Sequence, residues 1–194
     1  MREQSTVGSY YRMAPEKRLD AIVFQFDHFP AVIQDYEKDM EEWILTSRAR
    51  TRQEARGDLG VRIQSGNASI SIVEITVDEK MAVEKIVETG KLDEFCRRLY
   101  DYEEIRRGML EIKLMKKDYE LLKRKIKLLR PDEKAVFERY IRRQDRSAEL
   151  SGELAISQDS VRKKMYRTKK KLYALAADSL RFYDDETILL LEDR

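Results

Sequence analysis

RSAELSGELAISQDSVRKKMYRTKKKL, residues 146–172, is the stretch whose reading decides the fold. Leu150 and Leu154 are spaced to face one side of a short helix over 146–154. Ile156 plugs a tight turn, and Val161 anchors a following helix. Ser157 is placed to cap that helix, with its hydroxyl available to the orphan backbone amide at the third helical position. Ser151 and Ala155 are small where the two helices must approach closely, although glycine is the commoner residue at the place of Ala155. Just upstream, residues 131–142 read as another helix, with Pro131 at a first position where its missing donor costs nothing. Val136, Phe137, Tyr140 and Ile141 would face inward from it. Three short helical patterns in quick succession form a helix-turn-helix layout. An ordinary helical hairpin has the same apolar spacing.

The helix opened by Ser157 is expected to run to about Ala177. At about 100° per residue, Val161, Met165, Thr168, Leu172 and Leu175 form one narrow buried stripe. The opposite side carries Asp159, Lys163, Tyr166, Arg167 and Lys170, with Arg162 on its flank and Gln158 and Ser160 at the helix start. Such a surface fits a major groove, because Arg and Lys donate to guanine edges, Ser or Tyr reaches phosphate, and a carboxylate accepts from cytosine. Lys169 and Lys171, outside the stripe, and Arg142, Arg143 and Arg146, just before the motif, are placed for phosphates.

Charge distribution points the same way. Residues 142–171 hold ten basic residues against four acids, whereas residues 178–194 hold six acids against Arg181 and Arg194. A basic block beside an acidic tail suits a polyanion site with something to mask it. Two solvated helix faces would show the same count, but the basic surplus lies on one face of the motif, which favours duplex DNA.

Outward from the motif, the pattern is helical with one interruption. Residues 15–50 read as an N-terminal helical region that Pro30 breaks, with Leu19, Ile22, Val23 and Phe26 before the break. Val32, Ile33, Tyr36, Met40, Trp43 and Ile44 follow it. Residues 51–77 change character: Gly57, Gly60, Gly66 and Asn67 break any helix, and the β-branched run at 71–77 reads as a short strand or, in preference, an extended linker. Asp78 is the expected N-cap of a central helical region, 78–130, whose apolar pattern Met81 opens and Thr89-Gly90 interrupts. Leu92, Phe95, Leu99, Tyr102, Met109, Ile112, Tyr119, Leu122, Ile126 and Leu129 would line its face. So long a face suits an arm, an antiparallel pair or a coiled-coil dimer surface, so self-association is expected. The whole is an all-α chain: N-terminal helices to residue 50, a linker, a long central helix or helix pair, the motif at 131–177, and an acidic tail at 178–194.

Composition narrows the function. Of the 194 residues, 42% are apolar and 39% charged, and only seven glycines and three prolines supply turn chemistry, which argues against an all-β fold. No apolar run approaches the roughly 20 residues needed to span a membrane. The N-terminal MREQSTVGSYYRMAP lacks the apolar core of a secretory signal, so with one cysteine the expected compartment is the cytoplasm. Enzymatic readings find little support. His28 is the one histidine, Cys96 has no thiolate partners for zinc, and no phosphate-cradling glycine loop exists. Cys96 with His28 could form a dyad, but no flanking signature accompanies one, and a buried structural cysteine is the expectation. No catalytic residue, cofactor or metal is expected.

Residues 129–172 resemble the promoter-reading last domain of bacterial sigma factors, through LRPDEKAVFERYI, then RSAELSGELAIS, then QDSVRKKMYRTKKKL. The pattern departs at Lys164, where sigma factors usually carry an apolar residue, and Met165 takes the packing role one position later. That shift, with the layout of the whole chain, is closer to the phage late-gene transcriptional regulators of the RinA and ArpU type. SGNASISIVEITVDEKMAVEKI, residues 65–86, looks like their linker and central helix. The resemblance spans about residues 27–175, and its specific part is the C-terminal third. It implies a sigma-like helix-turn-helix domain, activation of phage structural, packaging or lysis genes in the host cytoplasm, and base reading by Gln158, Asp159, Arg162 and Lys163. Two other classes share these features. A phage small terminase subunit also joins a helix-turn-helix to oligomerising helices, and a protein-docking module would grip RNA polymerase without touching DNA.

Overall fold

The computed structural model describes residues 10–56, 76–141 and 146–192. Their elements are helices, in keeping with the all-α reading, and no strand occurs among the described residues. In chain order they are α1 (Pro15–Phe24), α2 (Phe29–Arg56), α3 (Val77–Thr89), α4 (Tyr102–Ile126), α5 (Pro131–Ile141), α6 (Arg146–Leu154) and α7 (Gln158–Glu192). None of them is long and apolar enough to cross a membrane. The chain divides into two units, Met1–Ile33 with Leu114–Arg194, and Gln34–Lys113.

Several boundaries differ from the sequence reading. The first break falls at 25–28 rather than at Pro30, which lies in the first turn of α2, where a proline leaves no intrahelical bond unmade. Helix α2 continues to Arg56, six residues beyond the expected end. Residues 57–75, with most of the run read as strand or linker, lie outside the described residues. Thr76, not Asp78, caps α3: its hydroxyl accepts the Glu79 amide at 3.2 Å, and Asp78 sits in the first turn. Met81 is exposed, and Val83, Ile86 and Val87 supply the buried side of α3.

The central helical region is the largest correction. Gly90 ends α3 at φ 70°, in the left-handed region that glycine adopts without a Cβ penalty. Helix does not resume at once. Residues 91–101 form an irregular connector with one short 3-10 turn, Cys96–Arg98, so Leu92, Phe95 and Leu99 are not on a helical face. Asp93 shapes this connector, one carboxylate oxygen accepting the Cys96 amide at 2.8 Å and the other accepting Arg48 of α2 at 2.7 Å. Arg48 also approaches the Cys96 sulfur at 3.4 Å and lies over the Phe95 ring. Cys96 is buried, as expected, and burial pushes its thiol pKa up.

Within the same unit, Tyr36 of α2 donates to Glu111 of α4 at 3.0 Å. Gly108 allows the two helices to approach there, since a Cβ at that position would lie 2.6 Å from the Met40 sulfur. Arg52 of α2 reaches Glu79 of α3 at 2.6 Å.

In the other unit, α1 is tied to the last part of α4 by a buried ion pair, Arg18 Nε to Asp118 Oδ2 at 2.8 Å. Tyr10 donates to the same oxygen at 3.0 Å. Phe26 and Phe29 pack on Tyr119, with ring centroids 5.3 and 5.8 Å apart. Helices α5, α6 and α7 pack pairwise on one another, and α1 packs against α7. Phe137, Leu150, Val161 and Leu172 are wholly buried among them.

Candidate nucleic-acid interface

Helices α6 and α7 are joined by Ala155, Ile156 and Ser157, the tight turn the sequence requires. Ser151 holds it shut, donating from its hydroxyl to the Ile156 carbonyl at 2.6 Å and accepting the Ile156 amide at its own carbonyl at 3.3 Å. Ser157 caps α7 as expected: its hydroxyl accepts the amide of Ser160, the third helical residue, at 3.2 Å. Ala155 has a role other than close packing. It is exposed and has φ 49°, a left-handed conformation that explains why glycine is commoner at this place. Leu150 is buried, while Leu154 and Ile156 are half-buried.

The buried side of α7 runs Val161, Met165, Thr168, Leu172, Ala176 and Leu180. Leu175 does not belong to it, being 37% exposed. The helix also passes the expected end at Ala177, and its backbone continues through the segment read as a separate acidic tail to Glu192.

Gln158, Asp159, Ser160, Arg162, Lys163, Tyr166, Arg167 and Lys170 are all exposed, on the side of α7 turned away from the core. Tyr166 is 69% exposed, far more than its aromatic ring would leave open if it packed on the protein. Asp159 and Lys163 pair along the helix at 2.7 Å. Acceptor and donor therefore partly offset each other's charge on the exposed face.

The cations assigned to phosphates are more varied. Lys169 reaches Asp20 of α1 at 3.0 Å, and Tyr173 donates to the same carboxylate oxygen. Burial would raise the Asp20 pKa, but the hydrogen bonds from Tyr173 and Lys169 outweigh it and hold the carboxyl below its usual range. Lys171 reaches Glu133 of α5 at 2.7 Å. These two lysines therefore tie α7 to its neighbours. Arg142 and Arg143 lie outside the described residues, and Arg146 is described by its place at the start of α6.

Two residues to which the sequence reading gave no DNA contact stand beside the motif. Arg130 precedes Pro131, and its backbone amide donates at 3.2 Å to Glu133, the third residue of α5, in one half of a capping box. Lys164 is half-buried on the flank of α7 that faces α5. Both could have been found. Pro131 marks Arg130 as the N-cap, and Lys164 shares a helical side with Ser160, Arg167 and Lys171, which lie at spacings of three and four. An open depression of about 390 Å³ lies here, lined by Arg130, Glu133, Ile156, Ser160, Lys163, Lys164, Arg167 and Thr168. Among the described residues, no group of three or more His, Cys, Asp or Glu is arranged to hold a metal ion. No family model, curated protein or solved structure was found to match the chain.

Proposed function

We propose that this chain binds duplex DNA sequence-specifically through α6, its turn and α7, and regulates transcription rather than catalysing a reaction. The observation that carries the reading is the division of α7: a continuous buried stripe from Val161 to Leu180 backs a solvent face bearing Arg162, Lys163, Tyr166, Arg167 and Lys170. A helix held by its apolar side and presenting long donors on the other has the form that enters a major groove. The resemblance to sigma factors and to RinA- and ArpU-type regulators supports activation at a phage late promoter in the bacterial cytoplasm. RNA polymerase and a second copy of the chain are the further partners of this reading. Gln158, Asp159, Arg162 and Lys163 are the proposed base readers, with Tyr166 beside them.

Selection of bound duplexes from a random-sequence pool tests this. Enrichment of one motif, lost on Arg162→Ala with the fold intact, is the expected result. Each good base contact is worth about 1–3 kcal/mol of discrimination. No enrichment and no salt-dependent affinity for any duplex would overturn the reading.

A further inference from the structure

The flank of α7 turned toward α5 is built differently from its exposed centre. Ser160, Lys164 and Arg167 line the open depression there, with Arg130, Glu133 and Lys163. Glu133 is its one carboxylate, and that charge is already answered. Lys171 donates to it at 2.7 Å, and the Arg130 amide and guanidinium each donate at 3.2 Å. Four cations, Arg130, Lys163, Lys164 and Arg167, line the same depression. Lys163 is paired with Asp159 at 2.7 Å. Lys164 and Arg167 have no ion-pair partner among the described residues. Two unpaired cations three residues apart on one helix side repel each other, and a shared anion relieves that repulsion.

We propose that this depression seats a backbone phosphate of duplex DNA, held by Lys164 and Arg167, with Arg130 beside them. The inference rests on the DNA-binding reading above and adds which flank of α7 grips the backbone. It is the α5 side; on the α1 side Lys169 is engaged with Asp20. Arg167 then positions the helix rather than reading a base, and Gln158, Asp159, Arg162, Lys163 and Tyr166 are left for base edges. Glu133 serves the seat indirectly, by fixing Arg130 at the N-cap of α5. Phosphate contacts set register and orientation without carrying sequence information, so the seat acts alike on every duplex.

The test measures affinity of the full chain for a mixed-sequence duplex over a salt series. Lys164→Gln with Arg167→Gln should flatten the slope of log affinity against log salt by about 0.9, the value of one phosphate contact. Affinity for a selected site and for mixed sequence should fall by the same factor. Lys169→Gln should leave the slope unchanged. Arg130→Gln provides a second variant that leaves α7 untouched, and it should weaken both duplexes equally. Ethylation interference should show one phosphate whose modification weakens the wild type but not the double variant. An unchanged slope in a folded double variant that still binds duplex overturns the seat and leaves DNA binding standing. A loss confined to the selected site makes Arg167 a base reader and likewise overturns it. A wild type that binds no duplex overturns both proposals.

Discussion

Lys171 of α7 and Glu133 of α5 meet at 2.7 Å, and the same carboxylate caps α5 by accepting the Arg130 amide at 3.2 Å. One side chain thus fixes the start of a helix and its distance from the proposed reading helix. The Lys171 hydrogen bond, with those from Arg130, holds the Glu133 pKa down at about 2.

A pH dependence follows. The folded-state pKa is depressed from 4.5, so the stability due to Glu133 is present above about 4.5 and lost as pH falls toward about 2. Glu133→Gln keeps an oxygen for the Arg130 amide but loses the partly exposed ion pair with Lys171, and should cost about 1 kcal/mol near neutrality. Urea unfolding of both proteins across this range should show the gap closing as the solution becomes acid. A gap that stays constant down to the lowest pH contradicts the assignment.

Arg18 and Asp118 have side chains 2% and 0% exposed, so neither charge has water to fall back on. Arg18→Ala leaves a buried carboxylate without its guanidinium and should destabilise the protein by about 3–5 kcal/mol. Denaturant melts read this directly, and a loss under 1 kcal/mol would contradict it.

Ala155 is exposed and stands at φ 49°, in the left-handed region that an L-residue adopts at a cost. The left-handed conformation costs an L-residue about 1–2 kcal/mol, and glycine returns part of the gain through its larger entropy loss. Ala155→Gly should therefore stabilise the fold by about 0.5–1 kcal/mol, seen as a raised denaturation midpoint. Any destabilisation would show that the methyl group matters in a way the turn geometry does not reveal.

Asp159 shields Lys163. Asp159→Asn should tighten binding to mixed-sequence DNA and steepen its salt slope by about 0.9, as Lys163, with no cognate base to read there, becomes free for phosphate. The ratio of specific to mixed-sequence affinity should fall at the same time. Salt titrations on the two duplexes measure both effects, and identical slopes for variant and wild type would refute the shielding.

The turn between α6 and α7 is legible in the sequence because its parts are local. Ser157 finds its amide three residues on, and Leu150 and Val161 bury themselves within one short motif. The connector at 91–101 is not legible in the same way. Leu92, Phe95 and Leu99 keep helical spacing, yet Asp93 turns the chain by capping Cys96 and binding Arg48, which lies 45 residues away. Periodicity carries no record of a partner that distant.

The same limit separates the two kinds of cation around α7. Exposure of Arg162 and Arg167 follows from the helical wheel alone. The engagement of Lys169 with Asp20 and of Lys171 with Glu133 depends on how α1 and α5 pack, which a count of charges does not hold. Leu175 failed for a subtler reason. Over so long a helix the buried side drifts through Ala176 to Leu180, and a fixed angular step from Val161 mispredicts its far end.

Helix α7 has no glycine or proline between Gln158 and Glu192, so nothing in its sequence supplies a kink. Its 35 residues make a rod about 50 Å long. A rod of this kind has a phase as well as a length. If Gln158 sits in a groove as proposed, the azimuth of whatever the C-terminal turns present is set relative to the double helix by the number of residues between them. Adding one residue beyond Leu180 would swing that presented surface by about 100° and advance it by about 1.5 Å. The first turns of the helix would stay where they are, so on the proposed reading the direction in which the far end of the rod points is a property that residue count alone adjusts.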